Sequence, residues 1–217
     1  MTTIINVDKI IIEDIVDKER RIINLTGKRL SKEERKRQIQ EAAKEIILEK
    51  GYENTTMDDV IEKSGMSTGG VYHYYKNLYE IFYDIMFNGL NYAERRSLSE
   101  TDKNVQTLVE YQLSKIYDDN EYKSLFAILL QGVARSEEFK KMYLELNSIY
   151  EEKLQTDFAK SEVTNHMLND KFLIFFVHSL ILGYESFEPL GSKEIFKNNK
   201  DFIREVIMLY LKKINEN

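Results

Sequence analysis

The sequence predicts an all-α fold: an N-terminal three-helix unit containing a helix-turn-helix, followed by a larger helical domain. Three observations predict it. One Pro and nine Gly in 217 residues leave few helix breakers. Apolar residues recur at helical spacing along most of the chain, and no alternating strand pattern bounded by turns stands out. Near residue 60, two short helical segments meet across a tight glycine-containing turn.

Residues 1–30 read as an extension. Ile11, Ile15 and Ile22 suit one face of an amphipathic helix, and Thr26-Gly27 would end it. Residues 31–78 form the three-helix unit. Ser31 is an N-cap residue with Glu34 three positions on, a capping box, and Ile39, Ala42, Ala43, Ile46 and Ile47 follow before the Gly51 stop. Thr56 opens a second helix with Asp59 as its box partner, Val60 and Ile61 as apolar anchors, and Gly65 as its end. Ser67 starts a third helix after only Gly65-Met66. A longer helix then runs from about Leu78 to Tyr92, with Ile81, Phe82, Ile85 and Met86 on one face. Residues 79–217 make the second domain, with further helices at about 104–118, 122–133, 136–160, 166–187 and 199–214.

Composition excludes several classes. There is no Cys, so disulfide scaffolds, thiolate zinc sites and Cys nucleophiles are ruled out. The three His residues have no metal-ligand spacing, and no metal or other cofactor is expected. No P-loop, nucleophile elbow or convergent acid–base set marks an enzyme. The first residues, MTTIINVDKIIIED, lack a signal-peptide pattern, and the longest apolar run, from Phe172 to Leu182, is about half a bilayer span. A cytoplasmic protein with no membrane partner is expected.

Net charge is −6, yet it is unevenly spread. From Lys28 to Leu78 ten basic and nine acidic residues give +1, and from Tyr79 to Asn217 seventeen and twenty-three give −6, with −1 in the first 27 residues. The basic cluster Lys28, Arg29, Lys32, Arg35, Lys36 and Arg37 stands just before the helix-turn-helix.

The run from Thr55-Thr56 through Gly65-Met66-Ser67-Thr68-Gly69-Gly70-Val71-Tyr72-His73-Tyr74-Tyr75-Lys76-Asn77, preceded by Gly51-Tyr52, resembles the DNA-binding domain of TetR-family transcriptional regulators. The resemblance covers about 50 residues, from Arg35 to Asp84. It implies that the third helix enters a DNA major groove. The residue types suit that task. Ser67 and Thr68 offer hydroxyls, and Gly69 and Gly70 let the backbone approach closely. Tyr72, His73 and Tyr74 carry hydrogen-bonding tips, and Lys76 adds a charge for phosphate. Val71 and Tyr75, four apart, should face the first helix as core. Thr56 is both a cap and, by resemblance, a phosphate contact. Two positions depart from the family. Leu78 stands where many members have Lys or Arg, and Asp58 would face the DNA backbone. Lys28 and Arg29 are expected to compensate as an N-terminal arm in an adjacent groove.

The same resemblance implies a ligand-responsive regulator, most simply a repressor, that binds a palindromic operator as a homodimer and is released by a small effector. The stretch 172–182 is apolar all round and should be buried on several sides, while the last helix has a wide apolar face. Helices 166–187 and 199–214 are therefore expected to pair with those of a second copy. Phe126, Phe139, Tyr143, Phe176, His178 and Tyr184 are the candidate lining of a hydrophobic effector site. A helical protein-interaction adaptor, or a DNA-binding factor that needs no effector, would use the same fold.

Overall fold

A computed structural model describes residues 30–97 and 103–216, with side chains described outside residues 91–102. The extension's expected helix, and Lys28 and Arg29 with it, lie outside the described residues. Every regular element among the described residues is helical. The chain divides into two compact units, one ending at Gln38 and one running from Ile39 to Asn217.

Helix α1 spans Lys32–Lys50. The expected capping box forms at its start: Glu34 N donates to Ser31 Oγ (3.2 Å) and Ser31 N to Glu34 Oε2 (2.7 Å). Ile39, Ala42, Ala43, Ile46 and Ile47 are buried at the expected spacing. After a 3₁₀ turn over Tyr52–Asn54, α2 covers Met57–Ser64 and α3 covers Thr68–Tyr72. Gly65 ends α2 at φ 65°, a left-handed conformation that any side chain would strain. Helix α4 (Leu78–Ser97) then leads into the body. Asn77 caps it, accepting from Glu80 N at 2.9 Å.

The body comprises α5 (Val105–Tyr117), α6 (Glu121–Gly132), α7 (Glu137–Asp157), α8 (Asn165–Leu168), α9 (Lys171–Ser186), α10 (Ser192–Asn198) and α11 (Lys200–Asn215). Three details correct the sequence reading. The segment 166–187 is two helices, because Asp170 turns its side chain to Leu173 N (2.8 Å) and caps a new start. Helix α10 was not foreseen; it follows Gly191 at φ 83°. Finally, 172–182 is not buried all round, since Phe172 and Phe175 are 59% and 58% exposed. By length and composition alone, Asn165–Ser186 is apolar enough to cross a membrane. Here it is interrupted before Asp170, and it directs Leu173, Val177, Ile181 and Tyr184 into protein core.

Two hydrophobic cores result. One joins Ile39, Val60, Val71 and Tyr75 of the first helices to Phe82 and Ile85 of α4 and to Leu129, Phe139 and Leu146 of the body. The other joins α5, α9 and α11 through residues such as Leu108, Val177 and Ile207. Phe126 packs against both.

Candidate nucleic-acid interface and the cavity beyond it

The third helix is short, and its two faces have separate jobs. Val71 is fully buried and Tyr75, just past the helix, is 3% exposed. The Tyr75 hydroxyl accepts from Gln40 Nε2 of α1 (2.7 Å) and donates to Asp84 Oδ2 of α4 (2.9 Å). This one residue therefore ties the reading helix to the helices on either side, as the four-residue spacing predicts. The opposite face carries Thr68, Gly69, Tyr72, His73 and Lys76, all exposed. Thr68 and Tyr72 are four apart, as are Gly69 and His73, so each pair shares a side of the turn. Tyr74 is half-buried, its ring edge-on to His73 at 5.1 Å.

Several polar groups are already engaged by the fold. Ser67 Oγ caps α3, accepting from Gly70 N at 3.2 Å. A Cβ on Gly70 would lie 3.0 Å from that Oγ, so this glycine serves the cap. A Cβ on Gly69 would meet nothing within 4 Å. Of the two glycines, only Gly69 leaves open space on the exposed side. Thr56 Oγ1 accepts from Asp59 N (3.2 Å) and donates to Asp59 Oδ2 (2.6 Å), while Thr56 N donates to Asp59 Oδ2 (2.7 Å) and completes the expected box. Lys50, 2.7 Å from Asp59, and then the Thr56 hydroxyl hold the Asp59 carboxyl down at about 2. Asp58 is exposed, and Leu78 is half-buried against the first core.

A cavity of about 150 Å³ opens within the body. Met86 and Leu90 of α4, Tyr111 and Lys115 of α5, and Tyr122, Lys123 and Phe126 of α6 form part of its wall. Tyr143, Leu146, Asn147 and Tyr150 of α7 and His178 and Ile181 of α9 line it too, with Gly89 and Asn120. Of the six residues expected there, Phe126, Tyr143 and His178 line it and three do not. Phe139 is claimed by the first core, stacked on Phe82 (5.4 Å) and edge-on to Tyr52 (4.6 Å). Tyr184 is fully buried against Tyr117 and Phe196, its hydroxyl donating to Asp119 (3.3 Å). Phe176 stacks on Phe172, on another side of α9.

His178 Nδ1 and the Tyr143 hydroxyl are 3.1 Å apart. Burial, and then the charge of Lys115, push the imidazole down to about 3, so it is neutral at ordinary pH. Burial likewise pushes Lys115 down to about 7. Part of its surface faces the void, but protein encloses it. Lys115 was missed in the sequence, although a signal existed: it lies four residues after Tyr111 on the face of α5 that points inward. Tyr143, Asn147 and Tyr150 likewise follow an i, i+4, i+7 pattern along α7.

Residues 32–72 thus form a three-helix unit with a helix-turn-helix, which α4 joins to a helical body. Residues 39–84 match the family model described as bacterial regulatory proteins, tetR family. That stretch is about a fifth of the chain, and over it the helix-turn-helix is that of TetR-family transcriptional regulators. The chain is 46% identical over 65 residues to the HTH-type transcriptional regulator YfiR of Bacillus subtilis, a match covering 30% of this chain and 32% of that protein. It is 26% identical over 178 residues to IcaR of Staphylococcus epidermidis, the negative transcriptional regulator of a biofilm operon, covering 77% of this chain and 94% of that one. Among solved structures, Salmonella enterica GusR superposes with a TM-score of 0.67 at 18% identity, covering 84% of this chain and 98% of GusR. NalD, a repressor of a Pseudomonas aeruginosa multidrug efflux pump, superposes at 0.60 and 18% identity, over 81% of this chain and 94% of NalD. At these identities the structural likeness speaks to fold.

Proposed function

We propose that this chain is a cytoplasmic, effector-released repressor that binds a palindromic operator as a homodimer. The observation that carries the reading is the position of the cavity at the seam of the two cores. Met86 and Leu146 line it and belong to the core that holds Val71 and Tyr75 beneath the reading helix. Tyr111 and Ile181 line it from the other core, and Phe126 touches both. A ligand that changes the spacing across this seam acts directly on α4, whose packing positions the reading helix. It shifts the population between DNA-competent and DNA-released arrangements by its differential affinity for the two.

On the DNA side, Thr68, Gly69, Tyr72 and His73 face the bases and sugar-phosphate edge, with Ser67, Tyr74 and Lys76 at the margin. Gly70 and Thr56 support the contact by holding the caps. The outer face of α9 and α11 supports dimerisation. Phe172, Phe175, Phe202 and Leu209 are between 58% and 70% exposed, a density of large apolar side chains that suits pairing with a second copy. The Phe172–Tyr210 ring contact at 4.9 Å makes the two helices one continuous surface.

The test is a mobility-shift titration against the DNA upstream of the chain's own gene, across a salt series. A retarded band at low salt, with affinity falling steeply as salt rises, is expected. Its absence at low salt overturns the regulator reading. Sedimentation of Phe175→Glu and Leu209→Glu variants tests the dimer: both should run as monomers.

A further inference from the structure

What enters the cavity can be narrowed, on the reading that it is the effector site. Two lysines line it, and the fold treats them differently. Lys123 Nζ donates to the Ile116 carbonyl (3.0 Å) and pairs with Glu185 (3.4 Å) and Asp119 (3.7 Å). Lys115 has no such set. Among the described residues its Nζ has no carboxylate within 4.0 Å and no hydrogen bond. It rests over the Tyr150 ring at 3.8 Å and the Tyr111 ring at 5.2 Å. Ring faces attract an ammonium, but they do not replace the hydrogen-bond acceptors it gives up on leaving water. No acidic residue lines the cavity. The lining Asn147 donates its Nδ2 to Glu151 Oε1 at 2.5 Å. The buried Tyr150 hydroxyl has the Tyr111 hydroxyl as its polar neighbour.

We propose that the cavity binds a small aromatic monocarboxylate of benzoate size, its carboxylate paired with Lys115 Nζ and its ring held by Phe126, Tyr143 and His178. The size follows from the volume. About 150 Å³ is the scale of an apolar cavity that admits benzene. The charge follows from Lys115, which an anion from solution supplies with the acceptor it lacks. The Tyr150 hydroxyl offers a donor to the second carboxylate oxygen. His178, neutral and engaged with Tyr143, adds no competing charge.

Thermal shift and titration calorimetry with benzoate, benzyl alcohol and benzylamine test this on the full chain. Benzoate should raise the melting temperature and bind at least about tenfold more tightly than benzyl alcohol, the range of a charge-assisted hydrogen bond. Benzylamine should not bind. Lys115→Met and Lys115→Gln should lose the benzoate preference while keeping a cooperative melt; two variants guard against one that fails to fold. Equal or tighter binding of benzyl alcohol, or unchanged benzoate affinity in Lys115→Gln, overturns the anionic inference and leaves the effector-site reading standing. Failure of all three probes at millimolar concentration overturns the proposal. The operator titration above is independent of either result.

Discussion

The helix-turn-helix and the cavity treat their polar side chains in opposite ways. Around the reading helix, Thr56, Ser67, Asn77 and Tyr75 are each engaged by the fold, bonded to a backbone N–H or a facing side chain. Around the cavity, Lys115 is enclosed against the Tyr150 and Tyr111 rings with less than its chemistry calls for. The first region is a finished surface that presents a shape. The second holds polar groups at a desolvation cost. The two regions are thus separated along one chain, and α4 is common to both.

Breaking α4 should therefore damage both regions at once. Phe82 is fully buried and packs on Tyr52 (5.1 Å) and Phe139 (5.4 Å), joining the first helices to α7. Phe82→Ala should cost about 3–5 kcal/mol in a urea melt. It should also weaken operator binding and effector binding together. A loss under about 1 kcal/mol would mean the two regions are not coupled through this contact.

Lys115 sharpens the contrast from the cavity side. Its folded pKa is about 7 against an ordinary value of 10.5. Below pH 7 both states carry the proton and the burial penalty is complete. Between pH 7 and 10.5 the unfolded chain holds more protons, so stability rises with pH and the penalty fades. The relief should amount to a few kcal/mol. Lys115→Met should be more stable than the parent at pH 7, and the difference should shrink as pH rises to 9.5. A pH-independent difference would show that Lys115 is not a desolvated charge.

How far these features were legible in the sequence follows the same division. Caps and turns are local, so Ser31, Thr56, Gly65 and Ser67 announced their roles within four residues of chain. The core and exposed faces of the reading helix followed from a four-residue spacing. The cavity is tertiary: its wall combines α4, α5, α6, α7 and α9, and no local pattern says which aromatic faces it. Phe139, Phe176 and Tyr184 were reasonable by residue type but do not line the cavity: Phe139 and Tyr184 found ring partners in a core, and Phe176 stacks on the exposed Phe172. The break at Asp170 was missed because an apolar stretch hides a cap lying just ahead of it.

A smaller effect separates capping from DNA contact. Thr56→Ala should lower stability by about 1 kcal/mol, within the usual range for an N-cap. Because its hydroxyl is engaged by Asp59, operator affinity should change no more than folding requires, and the salt dependence should keep its slope. Lys76→Gln should do the reverse. It is exposed, so stability should hold, while the slope of log affinity against log salt should fall by about 0.9 for one lost phosphate contact. A slope that drops for Thr56→Ala would mean its hydroxyl reaches phosphate after all.

The smallest change addresses why two adjacent glycines stand in the reading helix. Glycine in a helix costs about 1 kcal/mol relative to Ala, so each needs a reason. Gly70 has an internal one, since its Cβ would crowd Ser67 Oγ at 3.0 Å and Met66 Cε at 3.4 Å. Gly69 has none within the chain, because its Cβ would enter open space on the exposed face. Gly69→Ala should therefore stabilise the free protein by roughly 0.5–1 kcal/mol. It should also weaken the operator complex, because the added methyl occupies the space where backbone and DNA meet. Gly70→Ala should bring no such gain in stability, since it strains the cap. Calorimetric melts and operator titrations of the two variants side by side decide it. A Gly69→Ala protein that is more stable and binds its operator as tightly as the parent would mean that the open space over Gly69 is not used by DNA.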